Sequence, residues 1–169
     1  ALSVSALMGL PPKKAAEALG EFRGTARRFE VLGEADGITV INDYGHHPTE
    51  IKATLAGARA RYPQHKTWAV WQPHTYSRTQ TLFAQFTSAF EDADEVLVTE
   101  VYASREPKQD FTSAMVVSSM RHSSAHFTAG LNDTTKYLLD HLRPGDVLIV
   151  FSAGDADQVS ADVLAGLRK

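Results

Sequence analysis

The chain has 169 residues, 43% of them hydrophobic, which is enough for one domain with a buried core and little beyond it. Its 17 lysines and arginines against 20 aspartates and glutamates give a formal charge of −3, so no electrostatic case exists for nucleic acid or an anionic membrane. The absence of cysteine excludes disulfides and thiolate metal sites, and the apolar opening from Ala1 to Leu10 lacks a basic leader and is too short to span a bilayer; a soluble, cytoplasmic protein is expected.

In chain order, Ala1 to Leu19 reads as the end of a helical region, with Pro11-Pro12 opening a short helix over Lys13 to Glu21. Glu30 to Leu32 and Ile38 to Ile41, joined through Ala35-Asp36-Gly37, predict an antiparallel hairpin on an Asp-Gly turn. Pro48 stands where a helix places its first residue, and Ile51, Leu55, Ala58 and Tyr62 follow at helical spacing. Strands are then predicted over Thr67 to Gln72, Glu95 to Val101, Ala125 to Thr128 and Asp146 to Ser152. The run Val147-Leu148-Ile149-Val150-Phe151 is that of a strand buried on both faces. Helices are predicted over Thr79 to Phe90, Thr112 to Arg121, Asn132 to Leu142 and Asp157 to Leu167, with Leu82, Phe83, Phe86 and Phe90 as the clearest inward stripe. Such alternation predicts an α/β fold: a Rossmann-like, mostly parallel sheet with helices on both faces and an N-terminal antiparallel hairpin.

The densest chemistry lies in Asp43-Tyr44-Gly45-His46-His47-Pro48-Thr49-Glu50-Ile51, two carboxylates, two imidazoles and a phenol at a strand-to-helix turn. It stands at the carboxyl end of a strand, where open α/β sheets place their ligands. This stretch closely resembles the signature of the Mur ligases, in the branch that adds L-alanine to UDP-N-acetylmuramic acid. Phe22-Arg23-Gly24 followed by Arg27-Arg28-Phe29-Glu30 resembles the segment joining that family's central and C-terminal domains. Gln72-Pro73-His74-Thr75-Tyr76-Ser77-Arg78-Thr79 resembles its second substrate loop, and Ser152-Ala153-Gly154-Asp155 its last strand end.

The resemblance implies an ATP-dependent carboxylate–amine ligase using ATP and Mg2+, with UDP-N-acetylmuramic acid and L-alanine as substrates. It implies that residues 1–24 are a helical remnant of the central ATPase domain and 25–169 the C-terminal domain, with the central and N-terminal domains as its partners. No Gly-x-x-x-x-Gly-Lys-Ser/Thr loop occurs in the chain. The isolated chain is therefore expected to be inactive and the metal to be held elsewhere.

Residue by residue, the resemblance assigns Arg28 to the nucleotide phosphates and Asp43 to the ATP ribose; Asp43 could instead cap its own turn. It places Tyr44 and His46 near the incoming amino acid and gives Arg78, with His74, the substrate carboxylate. No catalytic residue is assigned. Arg27 is expected to be a solvated neighbour, by alternation along an extended segment. His47, before Pro48, is as well suited to capping the helix as to meeting a ligand. The sequence departs from the family at Thr75, where a second arginine is common. Gly154 and Asp155 could form a phosphate-cradling turn. Three other readings stay open: a tripeptide-recycling ligase of the same family, a metal hydrolase built on His46, His47, His74 and Glu100, and a non-catalytic binding module.

Overall fold

β-Branched and aliphatic runs supply the strands, and the computed structural model, which describes residues 2–21 and 24–168, joins them into one sheet. Phe22 and Arg23 lie outside the described residues. Among the described residues the strands are β1 (Glu30–Ala35), β2 (Ile38–Asp43), β3 (Thr67–Trp71), β4 (Glu95–Thr99), β5 (Ala125–Thr128) and β6 (Val147–Phe151). Their order is β1-β2-β6-β3-β4-β5. Only β1 and β2 pair antiparallel; every other pair is parallel. The central strand β6 is buried throughout, as its unbroken apolar run requires.

The hairpin turn uses Asp36 (φ 49°) and Gly37 (φ 70°), the two left-handed residues of a tight type I′ connection. The helices are α1 (Leu2–Leu7), α2 (Pro12–Gly20), α3 (Pro48–Arg61), α4 (Tyr76–Thr81), α5 (Phe83–Phe86), α6 (Ser113–Ser119), α7 (Leu131–His141) and α8 (Asp157–Leu167). On one face Ile51 and Leu55 of α3, Phe86 of α5 and Val116 of α6 pack on Ile41, Trp71, Val98 and Ile149. On the other, Leu138 of α7 and Val159 and Val163 of α8 pack on Val40, Val70, Leu97 and Leu148. Each fully buried aliphatic or aromatic side chain contributes about 1.5–3 kcal/mol, so these two layers dominate stability.

The helix expected over Thr79 to Phe90 is two short helices. It breaks at Leu82 (φ −102°, ψ 17°). Thr79 Oγ1 donates to the Thr75 carbonyl four residues back, a local bond that competes with regular helix. The break lets Phe86 and Phe90 reach Trp71, at ring-centroid distances of 4.5 and 5.4 Å. Burial periodicity recorded which rings go inward and carried no sign of the break. α1, α2 and the connection between them leave Leu2, Val4, Leu7, Met8, Leu10 and Leu19 exposed. Among the described residues no helix is long and apolar enough to cross a membrane.

Candidate functional site

Because β2, β6, β3 and β4 run parallel, their carboxyl ends share one edge, and the turns that follow them meet there. After β2, Pro48 starts α3 and His47 caps it: the Thr49 amide donates to His47 Nδ1 at 3.2 Å. Glu50 Oε2 accepts from the His46 and His47 amides at 3.0 and 3.1 Å, completing a reciprocal cap. Of the two roles open to His47, the structure shows the capping one. Burial pushes the Glu50 carboxyl up, but those two amides and the Arg28 guanidinium outweigh it and hold the carboxyl below its ordinary value.

The imidazoles and phenols form an arc across this edge. Tyr44 meets His46 edge-on with centroids 5.3 Å apart, His46 lies 6.3 Å from His74, and His74 stacks on Tyr102 at 5.7 Å. His46 Nδ1 is 3.1 Å from the Tyr44 carbonyl, which only accepts, so this nitrogen carries a proton. Arg78 Nη1 lies 3.1 Å from His74 Nδ1 and 3.4 Å from the His74 carbonyl, which leaves His74 Nδ1 as an acceptor. Burial, then the charge of Arg78, lowers the His74 pKa and favours the neutral ring. Tyr44, His46, His74 and Arg78 are therefore brought together.

Arg28 and Asp43 sit at one end of this arc. The Arg28 side chain is half exposed, 3.3 Å from Glu50 and 5.7 Å over the Tyr44 ring. It also lines an open cavity of about 470 Å³ with Phe29, Glu30 and Arg61. Asp43, which the resemblance assigns to the ATP ribose, is 5% exposed and turned inward. Its Oδ1 accepts from the Gly45 amide at 2.6 Å, and its Oδ2 from the Phe29 amide at 2.8 Å and the Thr54 hydroxyl at 3.4 Å. The turn-capping alternative is the one observed.

Arg27 is not a solvated neighbour. It and Phe29 adopt left-handed backbone (φ 58° and 47°), so the alternation of an extended strand does not hold there. Its Nη2 donates to the Ser152 carbonyl at 2.6 Å, and its own carbonyl accepts from the Tyr44 amide at 2.6 Å, tying the segment to the ends of β2 and β6. The Ser152–Asp155 turn is no open phosphate cradle either. Gln72 Oε1 accepts from the Asp155 and Ala156 amides at 3.1 and 3.2 Å, and the Gly154 amide donates to Ser152 Oγ. A side chain at Gly154 would come within 2.6 Å of Tyr102 Cγ, so the backbone there must be bare.

Gln72, Tyr102 and Glu106 carry no role in the sequence reading. Gln72 was legible only as part of a motif. Tyr102 and Glu106 belong to a loop without periodicity. Glu100, considered as a metal ligand, has Oε1 occupied by the Val101 and Ser113 amides at 2.9 and 3.0 Å. Among the described residues no three histidines or carboxylates converge as a metal site.

Fold and edge together define a Rossmann-like α/β domain with Arg28, Tyr44, His46, His74 and Arg78 gathered at the carboxyl ends of its parallel strands. The family described as Mur ligase, glutamate ligase domain, matches residues 27–154, and the chain belongs to that family. It is 38% identical over 167 residues to the UDP-N-acetylmuramate–L-alanine ligase of Alkaliphilus metalliredigens, covering 98% of this chain and 36% of that protein. With the enzyme of the same name from Solidesulfovibrio magneticus it is 44% identical over 172 residues, covering 99% and 38%. The crystal structure of the UDP-N-acetylmuramate–alanine ligase of Thermotoga maritima matches with a TM-score of 0.82 at 29% identity, covering 97% of this chain and 35% of that one. The chain thus spans a little over a third of the length of these relatives.

Proposed function

We propose that this chain is the C-terminal portion of a cytoplasmic, ATP-dependent ligase that joins L-alanine to UDP-N-acetylmuramic acid in peptidoglycan synthesis. Residues 1–24 are then the end of the central ATPase domain and 25–169 the C-terminal domain, with the central and N-terminal domains of the parent as its partners. The observation that carries this reading is the convergence of Tyr44, His46, His74 and Arg78 on one edge. The names of relatives that cover nearly the whole chain support it.

ATP supplies the phosphoryl group that activates the lactyl carboxylate, and the alanine amine then displaces phosphate to form the amide. The residues of this chain hold the nucleophile. Arg78 pairs with the alanine carboxylate through its planar fork, and neutral His74 donates from Nε2 beside it. His46, its Nδ1 proton fixed on the Tyr44 carbonyl, presents the Nε2 lone pair to the alanine ammonium and accepts the proton that frees the amine. Orienting the two reactants contributes about 7 kcal/mol or more to such a step.

Arg28, half exposed beside an open cavity, fits a nucleotide phosphate. Asp43 serves the nucleotide side by fixing the Phe29 amide next to Arg28. The residues at this edge do not fit magnesium, since Glu50 is occupied by two amides and Arg28, and Glu106 by Ser77. Magnesium falls to the central domain.

The test is Arg78→Lys in the full-length parent, with L-alanine varied at saturating ATP. A lysine keeps the charge and loses the fork, so kcat/KM for alanine falls about tenfold or more. Wild-type kinetics would remove this loop from the carboxylate site.

A further inference from the structure

The substrate-binding arginine proposed above sits on a helix that cannot orient it unaided. α4 has six residues, too few for a helix to hold its own geometry. What holds it is the loop after β4. Tyr102 exchanges backbone hydrogen bonds with Pro73 and Thr75, its amide donating to the Pro73 carbonyl and its carbonyl accepting from the Thr75 amide, both at 2.9 Å. Its ring lies on His74. Four residues on, the Glu106 carboxylate straddles the first turn of α4. Oε2 accepts from the Ser77 amide at 3.0 Å, and Oε1 accepts from the Ser77 hydroxyl. Gln109 Oε1 accepts from Gln80 Nε2 at 3.0 Å beyond it.

An amide in the first turn of a helix has no partner within the helix, and a carboxylate is its strongest acceptor. Glu106 supplies that acceptor from another element, one residue before Arg78. The loop itself is folded for the purpose, with the Glu106 amide donating to the Ala103 carbonyl at 3.0 Å and Ser104 in left-handed backbone (φ 57°).

We infer that Glu106 is a positioning residue for the amino-acid substrate, acting through Ser77 to set the direction in which Arg78 and His74 meet the alanine carboxylate. The inference rests on the ligase reading given above. Glu106 acts through Ser77, so its loss weakens binding of the alanine carboxylate and leaves the nucleotide side alone.

The experiment uses the full-length parent and its Glu106→Ala, Glu106→Gln, Ser77→Ala and Glu106→Ala/Ser77→Ala variants. Phosphate release is measured with L-alanine and ATP varied separately. The expected result is a KM for alanine raised about threefold to tenfold in Glu106→Ala, with KM for ATP unchanged. Glu106→Gln, which keeps one acceptor oxygen, recovers part of the loss. The double variant is no worse than Glu106→Ala, since one interaction is removed twice. An unchanged KM for alanine in Glu106→Ala, or equal rises for alanine and ATP, would overturn the positioning role while leaving the ligase reading intact. No alanine-dependent release by the wild-type parent would instead overturn the ligase reading, and the positioning role with it.

Discussion

Replacing Asp43 by alanine removes one acceptor group from three donors at once, and the structure fixes what that costs. The Gly45 amide, at 2.6 Å, lies in a buried turn. The Phe29 amide, at 2.8 Å, is half buried, and water reaches it in part once the side chain is gone. The Thr54 hydroxyl, at 3.4 Å, contributes little. Hydrogen bonds to a charged group stabilise by about 1.5–3 kcal/mol each, so two short ones, discounted for water at Phe29, give a loss of about 2–5 kcal/mol. At about 2–4 °C per kcal/mol for a chain of this size, the melting temperature falls by roughly 10 °C. Asp43→Asn should lose about half as much, because its NH2 group opposes one of the two amides. Urea unfolding followed by fluorescence reads this directly, since both tryptophans, Trp68 and Trp71, are buried and report the folded core. A loss below about 1 kcal/mol with an unchanged denaturant slope would mean that water replaces the carboxylate and that Asp43 is an ordinary surface turn residue.

Thr75 carries a β-branched side chain at φ 67°, ψ 143°, a conformation that costs of order 1–3 kcal/mol. Its hydroxyl accepts weakly from the Arg78 amide, at 3.4 Å, and replacing such a cap by glycine costs only a few tenths of a kcal/mol. The strain is the larger effect, so Thr75→Gly should stabilise the chain by about 1 kcal/mol in the same urea assay; destabilisation would refute the ranking. For His74, burial and Arg78 lower the folded pKa below the ordinary 6.5, so near and below that pH the unfolded chain binds more protons. Stability should therefore fall as pH drops from about 6.5 toward the lowered value, and the His74→Gln variant should lack this part of the slope; parallel pH profiles would refute it.

The elements were legible where one local rule decided them. Asp36-Gly37 specifies its turn by two positive φ angles, Pro48 and the residue before it specify a helix start, and the apolar run of β6 specifies a strand between two neighbours. What stayed hidden depends on partners far along the chain. Asp43 points inward because of an amide at Phe29, and Gln72 organises a turn more than eighty residues later. Arg27 reaches the Ser152 carbonyl instead of standing as a solvated neighbour because the backbone at Arg27 and Phe29 is left-handed, which no alternation pattern records. The arc of Tyr44, His46 and His74 was readable in its residues through a family resemblance. Its closure by Tyr102 and Glu106 was not, since the loop that brings them has neither periodicity nor motif.

The ligase proposed above uses this edge only as part of a longer parent. Phosphate release and amide product should be measured for the parent and for the 169-residue chain, each with ATP, magnesium, UDP-N-acetylmuramic acid and L-alanine supplied together and omitted one at a time. The parent should release phosphate and form the alanyl amide only when all four are present, and the chain alone should do neither. Product formation by the chain alone, or phosphate release by the parent that ignores L-alanine, would contradict the claim.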